Sequence, residues 1–234
     1  MPPSETRFRG GRAALGSPAV ARPKRPDLAH AIRALFDFLV RTQEELRHVE
    51  PKRILVVAGE ARRASHATVT PLAFEGRKRR QGRRLKPLVK VNGRRMLYLI
   101  TLRPLFFRAS TPRERVATLL HELLHVSEAF DGTLETKRRH GHPGGQFSKL
   151  FKPLEKRCWK ALPATLVEPF AHDGEVLVPQ WLERPSTWLP VGVGSQRDRY
   201  GDEHLFDGVV RMKTRLLPKK LRRRQGPEIA SPGR

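Results

Sequence analysis

Cysteine is nearly absent from this chain: Cys158 is the only one in 234 residues. No intrachain disulfide can form, which excludes a disulfide-stapled secreted scaffold. Cys158 stands beside Trp159 in an apolar stretch and reads as a small buried hydrophobe. Long apolar runs are missing as well, so no transmembrane helix and no membrane partner are expected. Met1 to Pro26 is rich in Pro, Arg and Gly and lacks the apolar core of a signal peptide. These absences point to the cytoplasm. Acidic residues are scarce, 23 against 47 Lys and Arg, for a formal net charge of +24. Much of the excess lies in two clusters, Arg77 to Lys86 (RKRRQGRRLK) and Lys213 to Arg224 (KTRLLPKKLRRR). Such clusters neutralise phosphates and release counterions, so non-specific nucleic-acid binding is the physical expectation for both. No aromatic residue interleaves with either cluster. Contact would therefore run along the backbone, without base stacking.

The chemistry centres on the pentad His121-Glu122-Leu123-Leu124-His125. In a helix, residues i and i+4 lie one above the other. His121 and His125 can then offer two imidazole nitrogens to one point. Zn²⁺ accepts such nitrogens at about 2.0–2.1 Å, and a catalytic site usually has three protein ligands and one water. Glu122 is rotated by about 100° from the first ligand. From there it can act on the metal-activated water as a general base. The flanks support a helix independently. Thr111 is a good N-cap, Pro112 suits the first position and Glu114 completes a capping box. Val116, Leu119, Leu120, Leu123 and Leu124 form the apolar face, and Asp131-Gly132 supplies a stop. The third ligand must come from outside the helix. His140 and His142, just before Pro143-Gly144-Gly145, are the candidates. Tyr98 and His172 are available as a second oxyanion donor.

At His121 to His125, Phe130-Asp131-Gly132 and Arg138-Arg139-His140-Gly141-His142, the chain resembles metallopeptidases of the SprT-like and phage type. The resemblance covers roughly residues 54–154. It implies a zincin-like core with the pentad on a central helix, bound Zn²⁺ and a protein or peptide substrate. It makes His121 and His125 ligands, Glu122 the catalytic base, and His140 or His142 the third ligand. SprT-like enzymes act on DNA-bound proteins, so together with the basic clusters the resemblance implies substrates associated with nucleic acid. The metzincin signature, with a third His six residues after the pentad, is absent. So are the paired cysteines of the zinc ribbon that many SprT-like proteins carry. The competing expectation is a basic nucleic-acid-binding protein whose metal site is structural or degenerate.

In chain order, residues 1–26 read as a disordered basic tail. A helix follows from Asp27 to about Glu50, with Leu28, Ile32, Leu35, Leu39, Leu46 and Val49 as its buried stripe. Ile54 to Ala58 and Ala67 to Phe74 are strand candidates, and Pro71 puts the second at a sheet edge, where a peptide could add as a strand. Asn92-Gly93 predicts a type I′ hairpin between Leu88–Val91 and Arg94–Leu102. Another helix begins near Gln146. The order predicts an α+β fold, with helices packed on a small antiparallel or mixed sheet. Residues 27–162 form the expected core. Residues 163–210 read as an irregular β-rich extension, with strand-like pieces at Glu175 to Val178 and Pro190 to Val193. Residues 211–234 read as a basic disordered tail.

Overall fold

The computed structural model describes residues 25–60, 65–72, 87–108, 110–135, 146–183, 185 and 199–215. The fold is α+β, as the order of elements predicts. A three-stranded mixed sheet forms its centre, from β1 (Ile54–Ala58), β2 (Ala67–Pro71) and β5 (Tyr98–Leu102), in the order β1-β5-β2. β5 runs parallel to β1 and antiparallel to β2, with Ile100 opposite both Val56 and Val69. β2 is an edge strand, in keeping with Pro71, which has no N–H to donate to a further strand.

Both faces of this sheet are covered, which explains why β1 is apolar without interruption. Ile54, Val56, Ala67, Val69, Tyr98, Ile100 and Leu102 enter the main core with the helices. Leu55, Val57 and partly buried Leu99 meet a smaller cluster with Leu72, Val89 and Met96 on the other face. That second layer includes β3 (Leu88–Val91), β4 (Arg94–Arg95) and the short β7 (Arg199–Tyr200), ordered β4-β3-β7. Asn92 (φ 49°) and Gly93 (φ 71°) both take positive φ, as a type I′ turn requires. The second arm of the hairpin is not one strand. It leaves β3 after Arg95 and rejoins the central sheet at Tyr98.

Helix α1 (Leu28–Thr42) is capped by Asp27, whose side chain accepts from the His30 N–H at 2.9 Å. It ends well before Glu50. Gln43 is extended, a 3₁₀ turn follows at Glu44–Leu46, and Leu46 and Val49 reach the core outside the α-helix. Helix α2 (Pro104–Phe107) is a single turn, followed by α3 (Pro112–Leu124) and α4 (Gln146–Ala161). The Asp131-Gly132 stop lies beyond the true end of α3. Once past His125, the Tyr98 hydroxyl donates to the Thr133 carbonyl (2.8 Å) and accepts from the Gly132 N–H (3.0 Å), pinning the chain in a turn.

Beyond Pro163 the strand-like piece at Glu175 to Val178 falls within a longer strand, and the segment is more regular than expected. Helix α5 (Ala164–Ala171) forms despite Pro169, burying Val167 and Phe170. β6 (Gly174–Trp181) and β8 (Leu205–Met212) then make an eight-pair antiparallel ribbon. β8 runs into the expected tail, because Met212 is fully buried in the main core. The strand-like piece at Pro190 to Val193 lies outside the described residues. Cys158 is buried in the core, which pushes its thiol up to about 12. Among the described residues, no helix is long and apolar enough to cross a membrane.

Candidate metal centre

The central helix is built as its sequence suggests. Thr111 Oγ1 accepts from the Glu114 N–H (3.2 Å), and Glu114 Oε2 accepts from the Thr111 N–H (2.7 Å). This reciprocal cap fixes where α3 starts and therefore which way the pentad faces. Val116, Leu119, Leu120, Leu123 and Leu124 are all buried against the core.

The pentad occupies the last turn. His121 Nε2 and His125 Nε2 lie 3.2 Å apart, with the rings edge to face at 77°. Two nitrogens on a tetrahedral metal at 2.0–2.1 Å would be separated by about 3.3 Å. The imidazole pair thus fits two positions of a tetrahedral ion, and the donor set suits zinc. His125 is the C-cap, and its N–H bonds to the Glu122 carbonyl at 3.2 Å. Phe147, at the start of α4, closes over the pair. Its ring stacks on His125 (4.9 Å, 13°) and meets the edge of His121 at 4.6 Å. Phe151 follows at 5.4 Å from His121.

Glu122 points elsewhere, into the seam between α3 and the sheet edge. It is only 7% exposed, and its Oε2 accepts from the Val69 N–H of β2 at 2.7 Å. Burial pushes its carboxyl up to about 7, against the opposing Val69 hydrogen bond and the positive charge of Arg103. A metal ion beside it would act in the same direction as Arg103.

His140 and His142 lie outside the described residues. The described chain on either side of them meets His125: the Glu135 N–H donates to its backbone carbonyl at 2.9 Å, and Phe147 stacks on its ring. Among the described residues, no three His, Cys, Asp or Glu side chains converge as a metal cluster. Neither residue offered as a second oxyanion donor faces the pair. The Tyr98 hydroxyl is occupied by Gly132 and Thr133, and burial leads the effects that push it up to about 12. His172 sits by the other end of α3, where its carbonyl accepts from Thr214, itself bonded to Arg115.

The basic cluster at 77–86 lies outside the described residues. Of the cluster at 213–224, Lys213 and Arg215 serve the fold. Lys213 N–H donates to the Phe107 carbonyl (2.7 Å), and Arg215 pairs with Glu114 (2.9 Å). A groove of about 810 Å³ lies away from the pair, lined by residues such as His30, Ala34, Leu166 and Leu177.

Sequence reasoning missed three participants: the Val69 N–H, Phe147 as a ring partner, and Arg103. A backbone donor leaves no mark in the sequence. Phe147 was legible only as one apolar residue of a helix.

The model of a family described as putative phage metallopeptidases matches residues 27–149, more than half of the chain. No match is found among curated proteins, nor among solved structures.

Proposed function

We propose, for a chain that belongs to the phage metallopeptidase family, zinc-dependent hydrolysis of peptide bonds with Glu122 as the general base. The observation that carries this reading is the 3.2 Å approach of the His121 and His125 nitrogens on the last turn of α3, the turn that also carries Glu122, whose carboxylate accepts from the Val69 N–H. His140 or His142 is the third ligand. Described residues close to them on either side meet His125, Glu135 at its backbone carbonyl and Phe147 at its ring, which supports a ligand supplied from the intervening segment. Residues 27–162 carry this site as the catalytic core.

A divalent ion held by these histidines would polarise the scissile carbonyl and acidify the attacking water. Glu122 removes the proton from that water and returns it to the leaving amine nitrogen. Its burial keeps competing water away, and the Val69 N–H fixes the carboxylate in one orientation. A peptide added along the open edge of β2 would pass next to it.

The test is cleavage of a mixed peptide library by the full chain. Chelation should abolish cleavage and zinc should restore it. Glu122→Gln should lower kcat/KM by about 10²- to 10⁴-fold while keeping metal content and unfolding midpoint. Cleavage that survives in Glu122→Gln rules out the general-base role. The net charge of +24 supports substrates presented on nucleic acid. Salt-dependent DNA binding and faster cleavage of DNA-bound proteins are then expected, and cleavage indifferent to added DNA removes that refinement.

A further inference from the structure

Among the described residues, Arg115 and Arg103 both have buried guanidinium nitrogens, and they are treated in opposite ways. Arg115 is fully buried and saturated. It donates to the carbonyls of Phe106 (2.9 Å), Phe170 (2.6 Å) and Lys213 (2.7 Å) and to Thr214 Oγ1 (2.6 Å). Arg103 has two buried nitrogens, Nε and Nη1, with no hydrogen-bond partner among the described residues. Its third nitrogen, Nη2, is not enclosed, and the residue as a whole is half-buried. The fold evidently can surround an arginine with acceptors, and it does not do so here.

The place of Arg103 gives that deficit a meaning. It follows β5 directly, and its N–H donates to the His66 carbonyl at 2.9 Å, just before β2 begins. It thus stands at the head of the β5/β2 ladder, on the strand pair whose outer edge holds Glu122. Its charge reaches Glu122 through space, but Oε2 of that carboxylate is already committed to Val69. A cation stripped of water on two of its nitrogens and open at the third binds an anion more strongly than a solvated one does. The acceptor that best answers both its charge and its donors is a carboxylate.

We propose that Arg103 is a substrate-binding residue that takes a carboxylate of the peptide, beside Glu122. This rests on the peptidase reading above and narrows it to acidic substrates. The carboxylate can be the substrate's C-terminus or an Asp or Glu side chain, and the test separates these two sources.

Fluorescent peptides are prepared in pairs that differ by one group, acid against amide, at the C-terminus in one series and at a side chain in the other. Their binding to zinc-loaded full-length Glu122→Gln protein, which should not cleave them, is read by anisotropy. The acid member of one series should bind at least about tenfold tighter, the usual strength of a hydrogen bond to a charged group. Arg103→Met should bring that ratio to about one, and Arg103→Lys should keep part of it. Arg94→Met, which removes an exposed charge on β4, should leave the ratio intact and so exclude a general effect of net charge. The unfolding midpoint of Arg103→Met should change little, because two of its nitrogens, Nε and Nη1, are buried with no hydrogen bond to lose among the described residues. Equal binding of acid and amide, a ratio that survives Arg103→Met, or a marked fall of its midpoint would overturn the proposal. Cleavage by protein with Glu122 intact is measured separately. Acid preference without cleavage sinks the hydrolase and keeps the binding site, whereas cleavage without acid preference does the reverse.

Discussion

At its first turn, α3 leaves little unsatisfied. Thr111 and Glu114 cap each other, Arg215 closes on Glu114, and Arg115 gathers carbonyls from α2, α5 and the end of β8. At its last turn, two imidazoles bring their Nε2 atoms within 3.2 Å of each other, and a buried carboxylate has one oxygen tied to a strand edge. Arg103, whose charge acts on that carboxylate, has two buried nitrogens with no hydrogen-bond partner among the described residues. The first turn is held by several partners, and the last turn carries a buried carboxylate whose desolvation the rest of the fold offsets.

The comparison breaks most visibly at Arg115. Arg115→Met leaves the carbonyls of Phe106, Phe170 and Lys213 buried without their donor, at an expected cost of about 3 kcal/mol. Urea unfolding should show a lower midpoint at unchanged slope. Zinc affinity of the protein that remains folded should change little, because the imidazole pair is about 9 Å up the helix, six residues at 1.5 Å each. A stable Arg115→Met variant would mean that β8 and α5 are held by apolar packing alone.

Tyr98→Phe tests the other end. The phenol joins β5 to the turn after His125 through Gly132 and Thr133. Its loss should cost about 1–2 kcal/mol. Unlike Arg115→Met it should also weaken zinc binding, because the turn sets the path that leaves His125. An unchanged zinc affinity would show that the imidazoles are held by Phe147 and Phe151 instead.

Legibility in the sequence follows the same division. The first turn of α3 was readable because capping uses residues close in the chain: Thr111, Pro112 and Glu114 announce the cap, and the structure forms it. The central sheet was readable too, through the apolar run of β1, the turn at Asn92-Gly93 and the edge marked by Pro71. The end of α3 was half legible: Asp131-Gly132 does form a turn, with Gly132 at φ 85° and Asp131 Oδ1 accepting from Thr133, but α3 ends earlier, at Leu124, and a hydroxyl on β5 pins that turn. α5 was hidden behind Pro163 and Pro169, which read as loop although Pro163 merely precedes the first turn. β8 was hidden by its charge, since Arg211 and Lys213 look like the start of a tail until Met212 is seen in the core. In the site, His121, Glu122 and His125 were named from spacing alone. Arg103 looked like one of many cations, because nothing local distinguishes an arginine that lacks acceptors from one in solvent.

A smaller effect is expected at Thr111. Thr111→Ala removes the hydroxyl that accepts from Glu114 N–H, and should cost about 1 kcal/mol of stability with no loss of cleavage. A change in zinc affinity would show that the two ends of α3 are more tightly coupled than their separation suggests.

The smallest expected effect is a pH dependence confined to the saturated end. Burial alone would raise the Glu114 carboxyl, but the Thr111 N–H and hydroxyl and the charge of Arg215 outweigh it, so it lies below the usual range. The unfolded chain titrates it at about 4.3. The native state therefore holds the charged form more tightly, and the added stability is present above that value. It is lost as the pH falls through the lower folded value. Glu114→Gln keeps a cap acceptor but has no charge to lose. Its stability should be slightly lower than that of the parent at neutral pH and should converge on it in acid. Measured unfolding midpoints that stay parallel down to pH 3 would mean that the Arg215 pair, on a side chain 43% exposed, is screened by water and contributes nothing.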